Sequence, residues 1–418
     1  MTLLERYSAT VRFDGYEAIR QALFDPNLSR SFDKRSYAEG NIRDGVVSVS
    51  HGPMQRARRR VENTQFRPDR LRLYERELFP KVLADLLDVL IDDTQVDVFA
   101  VGELLSVVLA ARRAGLDIDE TSLDQLRRLV HAVDVFSQGS AILDAKDPEA
   151  VRALVYETYD AFEREFVRPA WERRLSLILA RDADGGAPVP HDILTALLLH
   201  RDDPTLGLED NRRVVREVAT YLQGGTHTSA QTLTNALDLI FAEANAPALL
   251  DRVAQDLAFA QRVVHETLRL RPTTPKMKRR AEADTEVAGV AIPRDALVIL
   301  DVTAANRDPA LFGPDADRFR PDRSLDPGIP RWGLAFGAGA HQCPGRSVAA
   351  GFPAPAEGAP DDEHLYGLVA LMVQAIAGRG VRPDPSREPR RDARTERETR
   401  WAAYPVRFER RGAFAARA

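Results

Sequence analysis

The chain has 418 residues, 44% hydrophobic and 29% charged, with a formal net charge of −5 at pH 7. That is the composition of a soluble globular protein able to bury a substantial core, and the acidic balance excludes bulk nucleic-acid binding, which needs a basic field. One cysteine excludes a disulfide scaffold and points to a reducing cytoplasm, and neither a signal peptide nor the roughly 20 apolar residues of a membrane span can be found.

Helical patterning dominates. YERELFPKVLADLLDVLIDD (Tyr74 to Asp93) and VGELLSVVLAARRAGLD (Val101 to Asp117) place apolar residues three and four apart, as amphipathic helices do. Asp147 to Ala180 reads as one long helix, with Asp147 as N-cap and Pro148 in the first helical position. Glu209 to Ala244 is a second long helix, carrying YLQGGTHTSA in its middle. TEVAGVAIP and ALVILDV (Thr285 to Val302) suggest a small hairpin-like sheet. Asn306 to Pro330 reads as an ordered meander rich in Pro, Asp and Arg, residues 351–363 as a loop, and residues 384–400 as a solvated charged segment. No repeat and no composition shift marks a boundary, so the expectation is a single domain over 1–418, mainly α with a minor β-sheet region.

FGAGAHQCPG (Phe336 to Gly345) holds the lone cysteine. By residue type alone such a cysteine is a small buried apolar side chain. Its surroundings point elsewhere. Pro344 lacks an amide hydrogen and suits a helix start, which places Cys343 where the helix end favours thiolate over thiol. Gly337, Gly339 and Gly345 let backbone amides approach the sulfur, as suits a metal-binding thiolate. Without a second cysteine a structural zinc site does not fit, whereas the proximal ligand of a haem iron does. GAGAHQ itself is not a dinucleotide fingerprint, because Gln342 stands where the third glycine belongs.

With these residues the sequence resembles the cytochrome P450 family, whose haem signature F-x-x-G-x-[HR]-x-C-x-G is matched at Phe336, Gly339, His341, Cys343 and Gly345. The resemblance runs from roughly Arg12 to Arg346. It implies the P450 fold, with haem b between a long distal helix and the helix following the cysteine loop, and Cys343 as axial ligand. HETLRLRP supplies the family's E-x-x-R pair, Glu266 and Arg269, which the resemblance closes into a triad with Arg318 of DADRFRPDR. AANRDP (Ala304 to Pro309) matches the family's sheet-to-helix stretch.

The resemblance also places a distal site. The family pattern [AG]-G-x-[DE]-T-[TS] falls on Gly224, Gly225, Thr226, His227, Thr228 and Ser229. It implies a loosened helical turn at the glycines and a threonine, Thr228, that holds dioxygen over the iron and passes protons. His227 stands where an acid is expected; histidine can itself relay protons near neutral pH. Haem propionates are expected to meet His341, Arg279 of KMKRRAEAD, and Arg59 with Gln55 of GPMQRARRRVENTQF, Gln55 replacing the family's histidine. Arg56 and Arg60 read as a solvated face. With Arg58 and Arg346 they would also suit an acidic iron–sulfur electron donor.

Two departures concern the ends of the pattern. The chain starts late relative to such bacterial enzymes, and the helix after the cysteine is interrupted from Gly351 to Glu363. The expected substrate lining comes from Ser31 to Val49, Val135 and Phe136, Leu222 to Thr226, and Thr273 to Met277, a mixed polarity that suits a mid-sized organic molecule. The implied function is a soluble, cytoplasmic haem-thiolate monooxygenase of bacterial secondary metabolism, fed electrons by NAD(P)H through ferredoxin reductase and ferredoxin. Two alternatives stand beside it: an atypical haem-thiolate catalyst (oxidative coupling or peroxide-driven) motivated by His227, and a non-catalytic haem- or ligand-binding protein.

Overall fold

The computed structural model describes residues 7–30, 43–91, 95–140, 142, 147–184, 188–353, 363–394 and 400–409. It is mainly helical, and several helix starts are fixed by acidic caps. Asp147 accepts the Ala150 amide at 3.0 Å, with Pro148 at the first helical position. Asp192 and Asp256 cap Ile193–Leu199 and Leu257–Leu270 in the same way. Each cap satisfies an amide that a helix start leaves orphaned, worth about 1 kcal/mol.

The helix expected from Asp147 is two helices, Pro148–Phe162 and Arg168–Asp184, joined by a π-helical turn at Glu163–Val167. The helix expected from Tyr74 likewise opens with a π-helical turn, Tyr74–Leu78, before Phe79–Leu90. Pro169 and Pro80 account for both. A proline has no amide to give and crowds the carbonyl four residues back, which in each case lies inside the widened turn. Val98–Ala114 and the long helix Asn211–Phe241 form where the apolar spacing puts them.

The strand expectation needs correcting. TEVAGVAI is itself a hairpin, Thr285–Val287 against Val290–Ile292, turning at Ala288 and Gly289 with φ of 50° and 78°, as a two-residue type I′ turn requires. Leu297–Asp301 belongs elsewhere, between Thr10–Phe13 (parallel) and Lys276–Ala281 (antiparallel). The charged segment is not simply solvated either. Arg390–Arg391 pairs with Trp401–Ala403, and the buried Asp384 accepts from Ser386 and from Arg387 and Arg407 at 2.7 and 3.0 Å.

Tertiary contacts divide the chain into two compact units. One holds Ser29–Arg67 and Ser106–His227, the other Tyr7–Leu28, Pro68–Leu105 and the chain from Thr228 onward. The first unit is pinned by Arg58, a fully buried side chain of helix Gly52–Glu62. Its guanidinium pairs with Glu217 at 3.0 Å and donates to the Leu206 carbonyl at 2.6 Å. Arg58 therefore presents no charge to a partner, while Arg56 and Arg60 are exposed. Beside it Glu62 accepts the Tyr221 hydroxyl at 2.6 Å; burial first, then the charge of Glu217, hold the Glu62 carboxyl well above its ordinary range.

In the second unit the E-x-x-R pair is buried and bidentate, with Arg269 donating to both oxygens of Glu266 at 2.8 and 2.7 Å. The third arginine is Arg323, not Arg318. Arg323 reaches Glu266 at 3.3 Å and Asp315 at 2.5 Å, whereas the Arg318 side chain is exposed and only its carbonyl serves, accepting from Arg323 at 3.0 Å. The meander reaches the pair through its backbone at Arg318, then turns at Arg320, whose amide donates to Glu266 at 3.0 Å, so the inward side chain is the one five residues on. Stripping a partner from a buried ion pair costs about 3–5 kcal/mol, whereas an exposed substitution stays within about 0.5 kcal/mol. Arg323→Ala should accordingly lower the thermal unfolding midpoint steeply while Arg318→Ala leaves it in place, as read by circular dichroism.

Candidate active site

Cys343 stands in a loop whose course is set by close backbone approaches. Leu334 and Ala338 are anchored in one apolar cluster with Leu23 and Val298, and the chain turns at Gly337 (φ 64°) and Gly339 (φ 65°). At Gly339 a Cβ would lie 2.4 Å from the Leu23 carbonyl oxygen, so glycine alone fits both the dihedral and the space. A single 3-10 turn, Gly339–His341, carries His341. The Cys343 amide then donates to the Phe336 carbonyl at 2.9 Å, closing the loop around the thiol. Phe336 is held edge-on to Trp332 at 5.4 Å. Gly345 is ordinary in φ (−79°); it provides clearance, since a Cβ there would sit 3.8 Å from the sulfur.

The helix after the cysteine differs from expectation. It is Arg346–Ala350, with Gly345 as its cap, so Pro344 belongs to the turn before it. The helix ends because Gly351 (φ 69°) passes against other backbone: a Cβ there would meet the Leu365 carbonyl at 2.1 Å. Buried side chains seal the break. Gln261 Nε2 donates to the carbonyls of Ala350, Phe352 and Leu365 at 3.0, 2.8 and 3.0 Å. His265, kept neutral by burial that pushes its pKa down to about 4, contacts the Ala350 carbonyl through Nε2 at 2.7 Å. Residues 354–362 of the interruption lie outside the described residues.

The long helix stays regular through Gly224–Ser229, so the loosened turn is not formed. Its two glycines serve different ends. A Cβ at Gly225 would press on the Ala110 Cβ at 3.0 Å, so this glycine admits the helix Val98–Ala114; one at Gly224 would meet nothing within 4 Å. From Val214 to Ile240 the exposed residues are Gly224 and Thr228 alone, four apart and hence on one face. Thr226 and Thr232 bond back to the carbonyls of Leu222 and Thr228, both at 2.8 Å, in the manner common for mid-helix threonines. His227 is 8% exposed, its Nε2 3.9 Å from Asp134 Oδ1.

The other expected residues fall as follows. Arg279 is buried on strand Lys276–Ala281, and its guanidinium donates to the Lys278 carbonyl at 2.9 Å. Gln55 is buried and Arg59 half-buried on helix Gly52–Glu62. Phe336, Gly337, Gly339, His341, Cys343, Gly345, Arg279 and Thr228 belong to one unit; Gln55, Arg59, Gly224, Gly225 and His227 belong to the other. Of the expected substrate lining, Val135 and Phe136 are buried, Phe136 edge-on to Phe162 at 5.4 Å, and residues 31–42 lie outside the described residues.

A model of the cytochrome P450 family matches residues 2–350. The chain belongs to that family.

Its relatives agree. Cyclooctat-9-en-7-ol 5-monooxygenase of Streptomyces melanosporofaciens is 28% identical over 367 residues, 80% of this chain and 75% of that protein. Erythromycin C-12 hydroxylase of Saccharopolyspora erythraea is 34% identical over 172 residues, 41% of each chain. Among solved structures, CalO2 superposes with a TM-score of 0.72 at 21% identity over 97% of this chain and 93% of that one. A mutant of P450 EryK in complex with erythromycin B gives 0.67 at 23% over 97% and 92%. At these identities the structures show the fold alone. As a P450 monooxygenase the chain is an oxidoreductase with relatives in bacterial secondary metabolism, and its family implies a haem iron held by a thiolate.

The residues fit that cofactor. The Cys343 thiol has clearance beside its sulfur at Gly345, and Arg279 on strand Lys276–Ala281 is a buried cation. No helix among the described residues is long and apolar enough to cross a membrane. Sequence reasoning missed Arg323, one of three arginines in DADRFRPDR that no periodicity separates, and Gln261 and Asp134, whose partners lie far off in the chain. The loop geometry yields a test. A left-handed φ costs a non-glycine residue about 1–2 kcal/mol before any clash; Gly339→Ala should therefore lower the thermal midpoint clearly, and Gly345→Ala, in ordinary contact at ordinary φ, far less.

Proposed function

We propose that the protein is a haem-thiolate monooxygenase that inserts one oxygen atom from dioxygen into a mid-sized organic molecule of bacterial secondary metabolism. It works in the cytoplasm, where a lone thiol stays reduced, with electrons from NAD(P)H relayed by ferredoxin reductase and ferredoxin. The observation that carries this reading is the thiol of Cys343, closed into a loop by its own amide on Phe336 at 2.9 Å and by a glycine only backbone can pass. The names of the two bacterial relatives support the substrate class.

When bound, haem supplies the redox chemistry that divides dioxygen between substrate and water. The chain's part is to hold and to feed. Cys343 would hold the iron as thiolate, and backbone amides reaching the sulfur would temper its charge. His341, Arg279 and Arg59 would neutralise the propionates, with Gln55 adding a hydrogen bond but no charge. Gly224 keeps the space beside the long helix open, and the Thr228 hydroxyl, on the same exposed face, orients dioxygen and passes protons. His227 delivers protons where the family has an acid. Exposed Arg56 and Arg60 offer charge to an acidic ferredoxin.

Turnover with a relative's substrate under 18O2, driven by NAD(P)H, ferredoxin reductase and ferredoxin, should place one labelled atom in the product. Thr228→Ala should cut product formation about 10²-fold while reductant consumption continues. Product formed from peroxide alone and indifferent to Thr228→Ala would contradict the reading, as would tight ligand binding with no product.

A further inference from the structure

His227 does not stand alone in its helix turn. Helix Leu123–Ser140 runs past the long helix in antiparallel register, and two polar rungs join them. On one, Gln223 Nε2 donates to the hydroxyls of Ser137 and Ser140 at 3.3 and 3.0 Å. On the next, one turn further along, His227 Nε2 faces Asp134 Oδ1 at 3.9 Å. The carboxylate is aimed rather than loose, because its other oxygen accepts from Gln138 Nε2 at 3.0 Å. Both rungs cross a stretch whose neighbours Val133, Val135, Leu222 and Thr226 are buried, where unneeded polar groups are costly.

The pair is graded in exposure. The Asp134 side chain is 25% accessible and that of His227 11%, so the carboxylate is the more open of the two to solvent. His227 is followed at once by Thr228, whose face opens on the space over Gly224. We propose that Asp134 is the positioning residue that lets His227 replace an acid: a carboxylate–imidazole relay carrying protons from solvent to the Thr228 side of the long helix. This rests on the monooxygenase reading above. The geometry sets Nε2, rather than Nδ1, toward the Asp134 carboxylate. In each passage the imidazole takes up one proton from Asp134 and gives one up toward the Thr228 side of the helix, so the ring ends neutral and Asp134 ionised; no electrons move.

The test uses the haem-loaded protein with NAD(P)H, ferredoxin reductase and ferredoxin. Asp134→Asn should lower product formed per reductant consumed by roughly 10-fold, the low end for removing an orienting partner, with the balance appearing as peroxide and with KM unchanged. Asp134→Glu should restore coupling, as should the exchanged pair Asp134→His with His227→Asp. A readout independent of turnover is the ring 15N resonances of His227 in the reduced, carbon-monoxide-bound protein: they should shift in Asp134→Asn and return in Asp134→Glu. Unchanged coupling and unmoved resonances in Asp134→Asn, with a thiolate-type carbon-monoxide spectrum, would overturn the relay. A wild type lacking that spectrum would overturn the haem-thiolate reading instead, and the relay with it.

Discussion

The approach of the Leu23 carbonyl to Gly339 is the constraint on which the rest of the structure depends. A Cβ at that glycine would lie 2.4 Å from the oxygen, so the cysteine loop is seated on the end of helix Tyr16–Phe24 with backbone against backbone. Leu334 and Ala338 tie the loop's other end into the same apolar cluster that holds the sheet. Asn306 adds a polar brace: its side chain accepts the Leu334 amide at 2.8 Å and donates to the Arg269 and Trp332 carbonyls at 3.1 and 3.3 Å. The sulfur is thereby placed by main-chain geometry, the least adjustable part of a protein.

Asn306 also links this loop to the buried charges. Arg269 donates to the Asn306 carbonyl at 2.7 Å while holding Glu266, and Arg323 completes the set from the meander. Such groups are weak evidence for stability, because their desolvation offsets much of their attraction. Their value here is directional. Each fixes where a segment without regular structure must pass, and the cysteine loop follows that segment. Arg58 does the same in the other unit, where it holds Glu217 of the long helix and the carbonyls of Gly45 and Leu206.

Much of this was legible in the sequence. The thiol motif, the E-x-x-R pair, the Asp147 cap and the long helix all rest on local patterns of fixed spacing. What was not legible depends on where the chain goes between patterns. Arg318 and Arg323 lie five apart in one meander, and composition cannot say which turns inward. Pro344 looks like a helix start, yet the next turn belongs to Gly345 and the helix begins at Arg346. Gly224 and Gly225 look like one feature, but one meets Ala110 and the other meets nothing. Asp134 carries no mark at all until helix Leu123–Ser140 sets it against His227.

The central claim is that Cys343, as thiolate, is the protein's bond to a haem iron. The absorption spectrum of the reduced, carbon-monoxide-bound protein tests it most directly. A strongly red-shifted Soret band in the wild type, lost in Cys343→Ser with haem still bound, is the result this account predicts. An unshifted band in the wild type, or a red-shifted band that survives in Cys343→Ser, would contradict it.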